Sequence, residues 1–226
     1  MSLAPVAAAQ TGTPETGLYA HLDAADRYVH QSRDEALLAL LHRHGIDTLA
    51  GLRILEVGCG GGSLLRTLLH YGADGDRLAG IDIASAKIAG AAAGLPGASL
   101  AVANAAALPY RDASFDVAFA FTSLTSMLDQ REREQAAAET LRVLRTGGLL
   151  VVYDFWVNPF NRTTRSLRPN ELRALFAGSR VEVERVTLAP PIVRALGGRP
   201  GLCRRLERLP WLRSHLLAAV TKERAP

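Results

Sequence analysis

Between Ile54 and Gly62 the chain reads Ile-Leu-Glu-Val-Gly-Cys-Gly-Gly-Gly, an apolar run carrying one acid, Glu56, that breaks into glycines at 58, 60 and 62. Glycine permits positive φ and lets a ligand approach bare backbone. A helix predicted from Ser63 to His70 opens directly after this turn. Its unpaired N–H groups favour a negatively charged group such as a carboxylate. Roughly 20 residues past the turn, Asp82 closes a second apolar run in Gly80-Ile81-Asp82-Ile83, where an aspartate can accept hydrogen bonds from both hydroxyls of a ribose. The pattern suits an adenosine that carries a compact polar group. The glycines alone also suit a tight turn in an unrelated αβ protein, so the weight lies on their coincidence with Asp82 and a third segment at Asn104. A dinucleotide site needs Gly-x-Gly-x-x-Gly. Counting from Gly58 the last position is Ser63, and from Gly60 it is Leu65, so neither register fits.

Groups able to move a proton are scattered more widely: Tyr28, His30, Tyr153, Asp154 and His215. Tyr153 and Asp154 end the strongest predicted strand, beside the place where a second substrate would sit. They read equally as a packed tyrosine and a turn aspartate. Tyr19, His21, Tyr28 and His30 fall in the N-terminal segment, and each histidine also reads as an ordinary surface or packing residue. His42 and His44 sit near a helix end, where the helix dipole accounts for them. No His, Asp and Cys cluster has metal-ligand spacing, and no metal is expected.

The elements that must position these groups alternate. Ser32-Arg33-Asp34-Glu35 reads as a capping box opening a helix that Gly45 stops, with a further helical turn or helix before it around Tyr28 and Val29. Strands are predicted at Arg53 to Val57, Leu78 to Ile83, Ser99 to Ala103, Phe115 to Phe121 and Leu149 to Phe155. Helices lie between them, the last from Asp129 to Leu144 with Asp129 as cap. Such alternation implies a parallel sheet covered on both faces, a three-layer doubly wound α/β architecture. A short helix after Pro169 leads to Val181–Leu188, whose Val-Glu-Val-Glu alternation suits a half-exposed edge strand. Leu212 to Lys222 reads as a last strand or a helix end. The stretch 189–210, broken by Pro-Pro, Gly-Gly and Leu-Pro, reads as an insertion that forms a lid or pocket wall.

The chain has 226 residues, 48% hydrophobic and 21% charged, enough for one sizeable core. We expect a disordered tail over 1–16 and one domain over 17–226. That domain divides into a helical cap at 17–50, a ligand-binding core at 51–156 and a C-terminal part at 157–226. No stretch approaches a membrane-spanning length, and the start lacks signal-peptide character. Cys59 and Cys203 read as free thiols of a cytoplasmic protein. The net charge of +4 is uneven: six arginines from Arg194 to Arg213 face only Glu207, so that window carries +5 and the rest −1. This basic window reads as a solvated helix face or as a surface for an anionic substrate or membrane.

On five segments in order the chain resembles the class I S-adenosylmethionine (SAM)-dependent methyltransferases, in particular the small-molecule group that includes quinone-biosynthesis enzymes. They are Glu56 to Gly62, Asp82, Asn104-Ala105-Ala106-Ala107-Leu108-Pro109-Tyr110, Ser114-Phe115-Asp116-Val117 and Leu141 to Gly148. The resemblance covers about residues 50 to 155. It implies strand order 3-2-1-4-5-7-6 with strand 7 antiparallel, and SAM as cofactor. It also implies Gly58 and Gly60 at the methionine end, Glu56 at the ammonium, Asp82 at the ribose and Ile83 against the adenine. Asn104 and Ala105 would meet the adenine edge, and Phe121 or Thr122 would close the site below. Asn104 stands where the family usually has Asp, and its amide keeps an acceptor while adding a donor. Asp154 and Tyr153 become the candidate catalytic groups, and Tyr28, His30 and Arg194 the lid or substrate contacts. Asn158-Pro159-Phe160 invites comparison with a motif of nucleic-acid amino-methyltransferases, but that motif belongs after strand four, where this chain has Thr122-Ser123-Leu124-Thr125; no nucleic-acid partner is expected. Downstream segments are similar to bacterial members tied to glycan and secondary-metabolite pathways, which would suit an anionic or lipid-linked small molecule. The competing readings are a SAM-binding partner protein without catalysis, an RNA methyltransferase and a nicotinamide-dependent oxidoreductase.

Overall fold

A computed structural model describes residues 23–157 and 164–223. The expected tail over 1–16, Tyr19, His21 and Asn158-Pro159-Phe160 lie outside the described residues. The first helix, α1, runs Ala24–Arg43 without a break. Asp23 is its cap, accepting from the backbone N–H groups of Ala25 and Asp26. Ser32, expected to open the helix, sits in its middle. The capping-box spacing was a false start because Ser32 turns its hydroxyl outward to Glu207 instead of back to the backbone. Gly45 follows at φ 73° and ends the helix as its position implied.

The strands are β1 (Ile54–Val57), β2 (Leu78–Asp82), β3 (Ser99–Val102), β4 (Phe115–Phe121), β5 (Leu144–Phe155), β6 (Arg180–Leu188) and β7 (Arg213–Thr221). They form one sheet in the order β3-β2-β1-β4-β5-β7-β6. β1 to β5 run parallel; β7 is antiparallel to β5 and to β6. Central strands of a covered parallel sheet are apolar on both sides, and all four residues of β1 are buried. The helices are α2 (Ser63–His70), α3 (Ser85–Ala92), α4 (Gln130–Val143), α5 (Pro169–Leu175), α6 (Pro190–Ala195) and α7 (Pro200–Glu207). Asp129 caps α4 through Arg131 and Glu132 N–H, as expected.

One core cluster packs Leu37 and Leu40 of α1 and Leu65 and Leu68 of α2 on one face of the sheet, over Ile54, Phe119 and Val151. A second packs Ala136, Ala137 and Phe176 on the other face, over Leu55, Ala118 and Val152. Two local readings shift. β5 starts at Leu144, ahead of the glycines: Phe115 pairs with Leu144, and the register then slips to Val117 opposite Leu149, with Gly147 at φ 73° inside the irregularity. The stretch 189–210 is mostly helical, and residues 213–221 form a strand buried between β5 and β6. The parallel strands end together at Val57, Asp82, Val102, Phe121 and Phe155. Phe155 pairs with His215, so β7 begins at that same end.

Candidate functional site

The glycine bend sits where β1 gives way to α2. Gly58 and Cys59 both donate to Ile81 O at 2.8 Å, which ties the bend to β2. Gly58, Gly60 and Gly62 all have positive φ, at 78°, 51° and 76°. Any Cβ at Gly58 would meet Ser123 Cβ at 2.7 Å, and one at Gly62 would meet Leu95 at 2.5 Å. Gly60 differs, because only the Lys87 stem comes near, at 3.9 Å, and its surface is open. Asp82 closes the arrangement: one carboxylate oxygen accepts from Gly60 N–H at 2.9 Å and the other from Ala84 N–H at 2.9 Å. The bend and the acid at 82 are therefore in direct contact at one end of the sheet.

Glu56 points from β1 into the face covered by α1 and α2 and is 3% exposed. Its Oε2 has no hydrogen-bond partner. Burial pushes its carboxyl up to about 8, against the pull of the Arg33 guanidinium. A buried carboxylate with a free oxygen is stabilised by a cation brought to it. Ser123, which crowds Gly58, has a buried Oγ that also lacks a partner, and Phe121 is buried at the end of β4.

Sequence reasoning missed Arg33. It comes from α1, is 13% exposed at its side chain, pairs with Asp34 at 2.7 Å and lies 5.9 Å from the Phe121 ring centre. Its field also reaches Tyr153 and His215. The signal was available: Arg33 is spaced four, seven and eight residues from Leu37, Leu40 and Leu41, a cation on the buried stripe of α1.

On the adenosine side, Ile83 is 71% exposed and Val102 55%, an apolar surface at the ends of β2 and β3 beside Asp82. Asn104 is exposed and its side-chain oxygen accepts from Ala106 N–H at 2.8 Å, leaving its NH₂ outward. Ala105 is buried. Thr122 is exposed at φ 52°, and its N–H donates to Tyr153 O at 2.7 Å.

Asp154 and Tyr153, expected as catalytic groups, are both buried and bonded within the fold. Asp154 is fully buried on the opposite face of the sheet from Glu56. Its carboxylate accepts from Thr125 N–H at 3.0 Å, from the Thr125 hydroxyl and from Phe155 N–H at 3.0 Å. Burial raises its carboxyl to about 6 despite those bonds. All its capacity goes into holding the loop after β4. Tyr153 is 5% exposed and donates to the Thr187 hydroxyl at 3.0 Å; burial holds its phenol protonated. Its ring stacks on His215 at 4.7 Å, and Phe155 lies 4.4 Å from the same imidazole. Desolvation, with Arg33, lowers His215 to about 4, so the wall is aromatic and uncharged.

The lid residues act through one acid. Glu207 of α7 accepts from Tyr28 OH at 2.6 Å, Ser32 Oγ at 2.5 Å and Leu188 N–H at 3.0 Å, joining α1 to α7 and β6. Tyr28 is thereby a buried tether between elements. Arg194 is an exposed partner of Asp26 at 3.5 Å. His30 is half-buried on α1. A separate groove of about 150 Å³ between α1 and β6 is rimmed by Arg43 and Glu184, which pair with each other. It lies on the sheet face, away from the strand ends. Among the described residues no three His, Cys, Asp or Glu side chains gather as a metal site, and no helix is long and apolar enough to cross a membrane. Cys59 and Cys203 are buried free thiols.

Sheet order and helices on both faces make a doubly wound, Rossmann-like α/β fold, with the glycine bend and Asp82 in contact at the ends of its strands. Residues 55–152 match the family described as a methyltransferase domain. The chain is 33% identical over 156 residues to squalene methyltransferase 1 of Botryococcus braunii, a match covering 66% of this chain and 36% of that protein. It is 36% identical over 130 residues to the 2-methyl-6-phytyl-1,4-hydroquinone methyltransferase of Synechocystis, covering 55% of this chain and 39% of that one. The matches thus span well under half the length of these relatives. Two solved structures share the fold. A SAM-dependent methyltransferase from Mesorhizobium loti has TM-score 0.60 at 22% identity, covering 84% of this chain and 99% of that chain. The [4+2]-cyclase SpnF has TM-score 0.62 at 24% identity, covering 86% of this chain and 82% of that one.

Proposed function

We propose that this chain transfers a methyl group from SAM to a small-molecule acceptor. The observation that carries this reading is the unpartnered buried oxygen of Glu56 beside a glycine bend that Asp82 grips at the strand ends. These residues fit the cofactor. Glu56 meets its ammonium and Arg33 its carboxylate, two opposite charges for the two ends of an amino acid. Asp82 has acceptor capacity left for ribose hydroxyls, and Ile83 offers a face to the base. Asn104 turns its NH₂ to the adenine edge, with Ala105 behind it. Gly58 and Gly60 lie along the methionine end, with Phe121 and Thr122 below it.

Bound SAM supplies a sulfonium whose methyl is already activated for in-line displacement. The protein's task is to align a nucleophile about 3 Å from that carbon and keep water out. Phe121, Tyr153 and His215 form a dry wall on that side, and α1 with Arg33 covers it. In this reading 51–156 hold the cofactor, the helical part of 17–50 is the cover, and 189–210 wall the acceptor side together with Tyr28, His30 and Arg194. Asp154 acts as a positioning residue for the loop after β4, and a proton is removed, where the acceptor requires it, by a group outside that pair. The relatives named for squalene and a phytylhydroquinone favour an apolar or lipid-like acceptor.

Asp82→Ala tests the assignment. Losing hydrogen bonds to a charged acceptor costs about 1.5–3 kcal/mol, so SAM affinity by calorimetry falls roughly 10–150-fold. Unchanged affinity refutes the ribose role. Incubating the wild-type chain with methyl-labelled SAM and a panel of quinols, phenols and isoprenoids reads turnover; tight binding with no transfer to any acceptor class identifies a non-catalytic SAM protein.

A further inference from the structure

The helices between β6 and β7 carry a surface that the methyl-transfer reading does not use. α6 and α7 connect the end of β6 to the start of β7, which is the end of the sheet where the site lies. In α7, Cys203 is fully buried and Leu206 half-buried, while Leu202, Arg204 and Arg205 are exposed. Arg208 and Trp211 follow directly in the chain, both exposed, Trp211 by 70%. Leu202, Arg205 and Arg208 are spaced three apart, the interval that aligns side chains along one helix face.

The charge on this face is one-sided. Glu207, the one acid of the window, is turned inward, with its carboxylate taken by Tyr28, Ser32 and Leu188. Arg204 pairs with Glu35 and Arg194 with Asp26. Arg199, Arg205 and Arg208 are exposed and meet no acid at ion-pair distance among the described residues. An indole and a leucine set among uncompensated arginines match the headgroup boundary of an anionic bilayer: the arginines meet phosphates and the apolar tips enter the acyl edge. A purely solvated cationic face would not call for a largely exposed Trp next to it in the chain.

We propose that the α7–Trp211 face docks the chain reversibly on anionic membrane surface, presenting the acceptor side of the site to molecules held in the bilayer. Docking needs neither cofactor nor turnover, so its failure leaves the proposed methyl transfer standing.

The test is co-sedimentation of the full chain with vesicles of phosphatidylcholine alone or mixed with phosphatidylglycerol. Binding is expected only to the mixed vesicles and weakens as salt is raised. The double variant Arg205→Glu, Arg208→Glu lowers the partition coefficient by about tenfold or more, and Trp211→Ala lowers it several-fold. Neither shifts the melting temperature, since the three side chains are exposed. Soluble glycerophosphoglycerol does not compete, which separates a bilayer from a free phosphate ligand. Equal binding to neutral vesicles, indifference to both variants, or binding to mixed-sequence RNA with none to vesicles overturns the proposal.

Discussion

Glu56 is where the chemistry of the site is most exposed to measurement. In the free protein burial keeps its carboxyl protonated to about pH 8. A cation seated against it favours the ionised form, so binding expels a proton. SAM binding at pH 7 should therefore release close to one proton, read by calorimetry in two buffers of different ionisation enthalpy. Glu56→Gln abolishes that release and weakens binding, while leaving the Asp82 contacts intact. Asp154 predicts the opposite pattern. Its three hydrogen bonds hold Thr125 and Phe155 rather than a ligand. Asp154→Asn should lose about 1–3 kcal/mol of stability in urea unfolding by leaving a buried donor unpaired, with proton release on binding unchanged. A variant that unfolds normally yet loses only turnover would restore Asp154 as a base.

At the scale of elements, one carboxylate couples the N-terminal helix to the C-terminal insertion. The apolar contact beneath it is small, with Ala25, Tyr28, Leu188, Val193 and Cys203 as its buried members. Glu207→Ala removes three acceptor bonds there and should cost about 2–4 kcal/mol. Hydrogen exchange should show α1 amides speeding up while β1 and β4 stay protected. The bend between β1 and α2 is constrained in another way. Gly62→Ala must accept a left-handed φ and a clash with Leu95, so it should destabilise by more than about 1 kcal/mol and misplace the helix start that faces the ligand. A Gly62→Ala chain as stable as wild type in thermal melts would mean that α3 yields easily.

Across the whole molecule, buried acids set the pH dependence of folding. Glu56 binds its proton to about pH 8 when folded and to its ordinary value of 4.5 when unfolded. The folded state thus holds more protons in that window, and stability falls as pH rises from about 4.5 to 8. Asp154 adds the same sign between 3.8 and about 6. Asp116 works against them: burial pushes it up, but bonds from Arg53 and Arg145 win and bring it to about 2. Its contribution is present above 3.8 and lost as pH falls towards 2. His215, lowered by burial from 6.5 to about 4, also opposes them, since its neutral burial makes stability rise with pH across that interval. Above it Glu56 acts alone, so the melting temperature of the cofactor-free chain should fall from about pH 6.5 to 8, and Glu56→Gln should flatten that decline. A wild-type curve still rising from pH 6.5 to 8 would contradict the protonated Glu56.

The sequence by itself determined most of the sheet and which residues gather at the glycine bend, because both are written in local chemistry. Short apolar runs broken by glycine fix where strands stop, and parallel strands expose whatever follows their carboxyl ends; Gly58, Asp82 and Asn104 therefore fell together from spacing alone. Residue identity also separated the glycine bend from a dinucleotide site through Ser63 and Leu65. Tertiary structure decided what depends on which way a side chain turns. Asp154 and Glu56 are both acids near strand ends, yet alternation along the strands sends them to opposite faces, one bonded by Thr125 and one left with an unpartnered oxygen. Ser32 could equally have capped a helix or bonded Glu207, and only the packing of α7 on α1 chose. Arg33 came to lie near Phe121 for the same reason: its spacing marks it on the buried stripe of α1, but only the packing of that helix decides which strand end it covers.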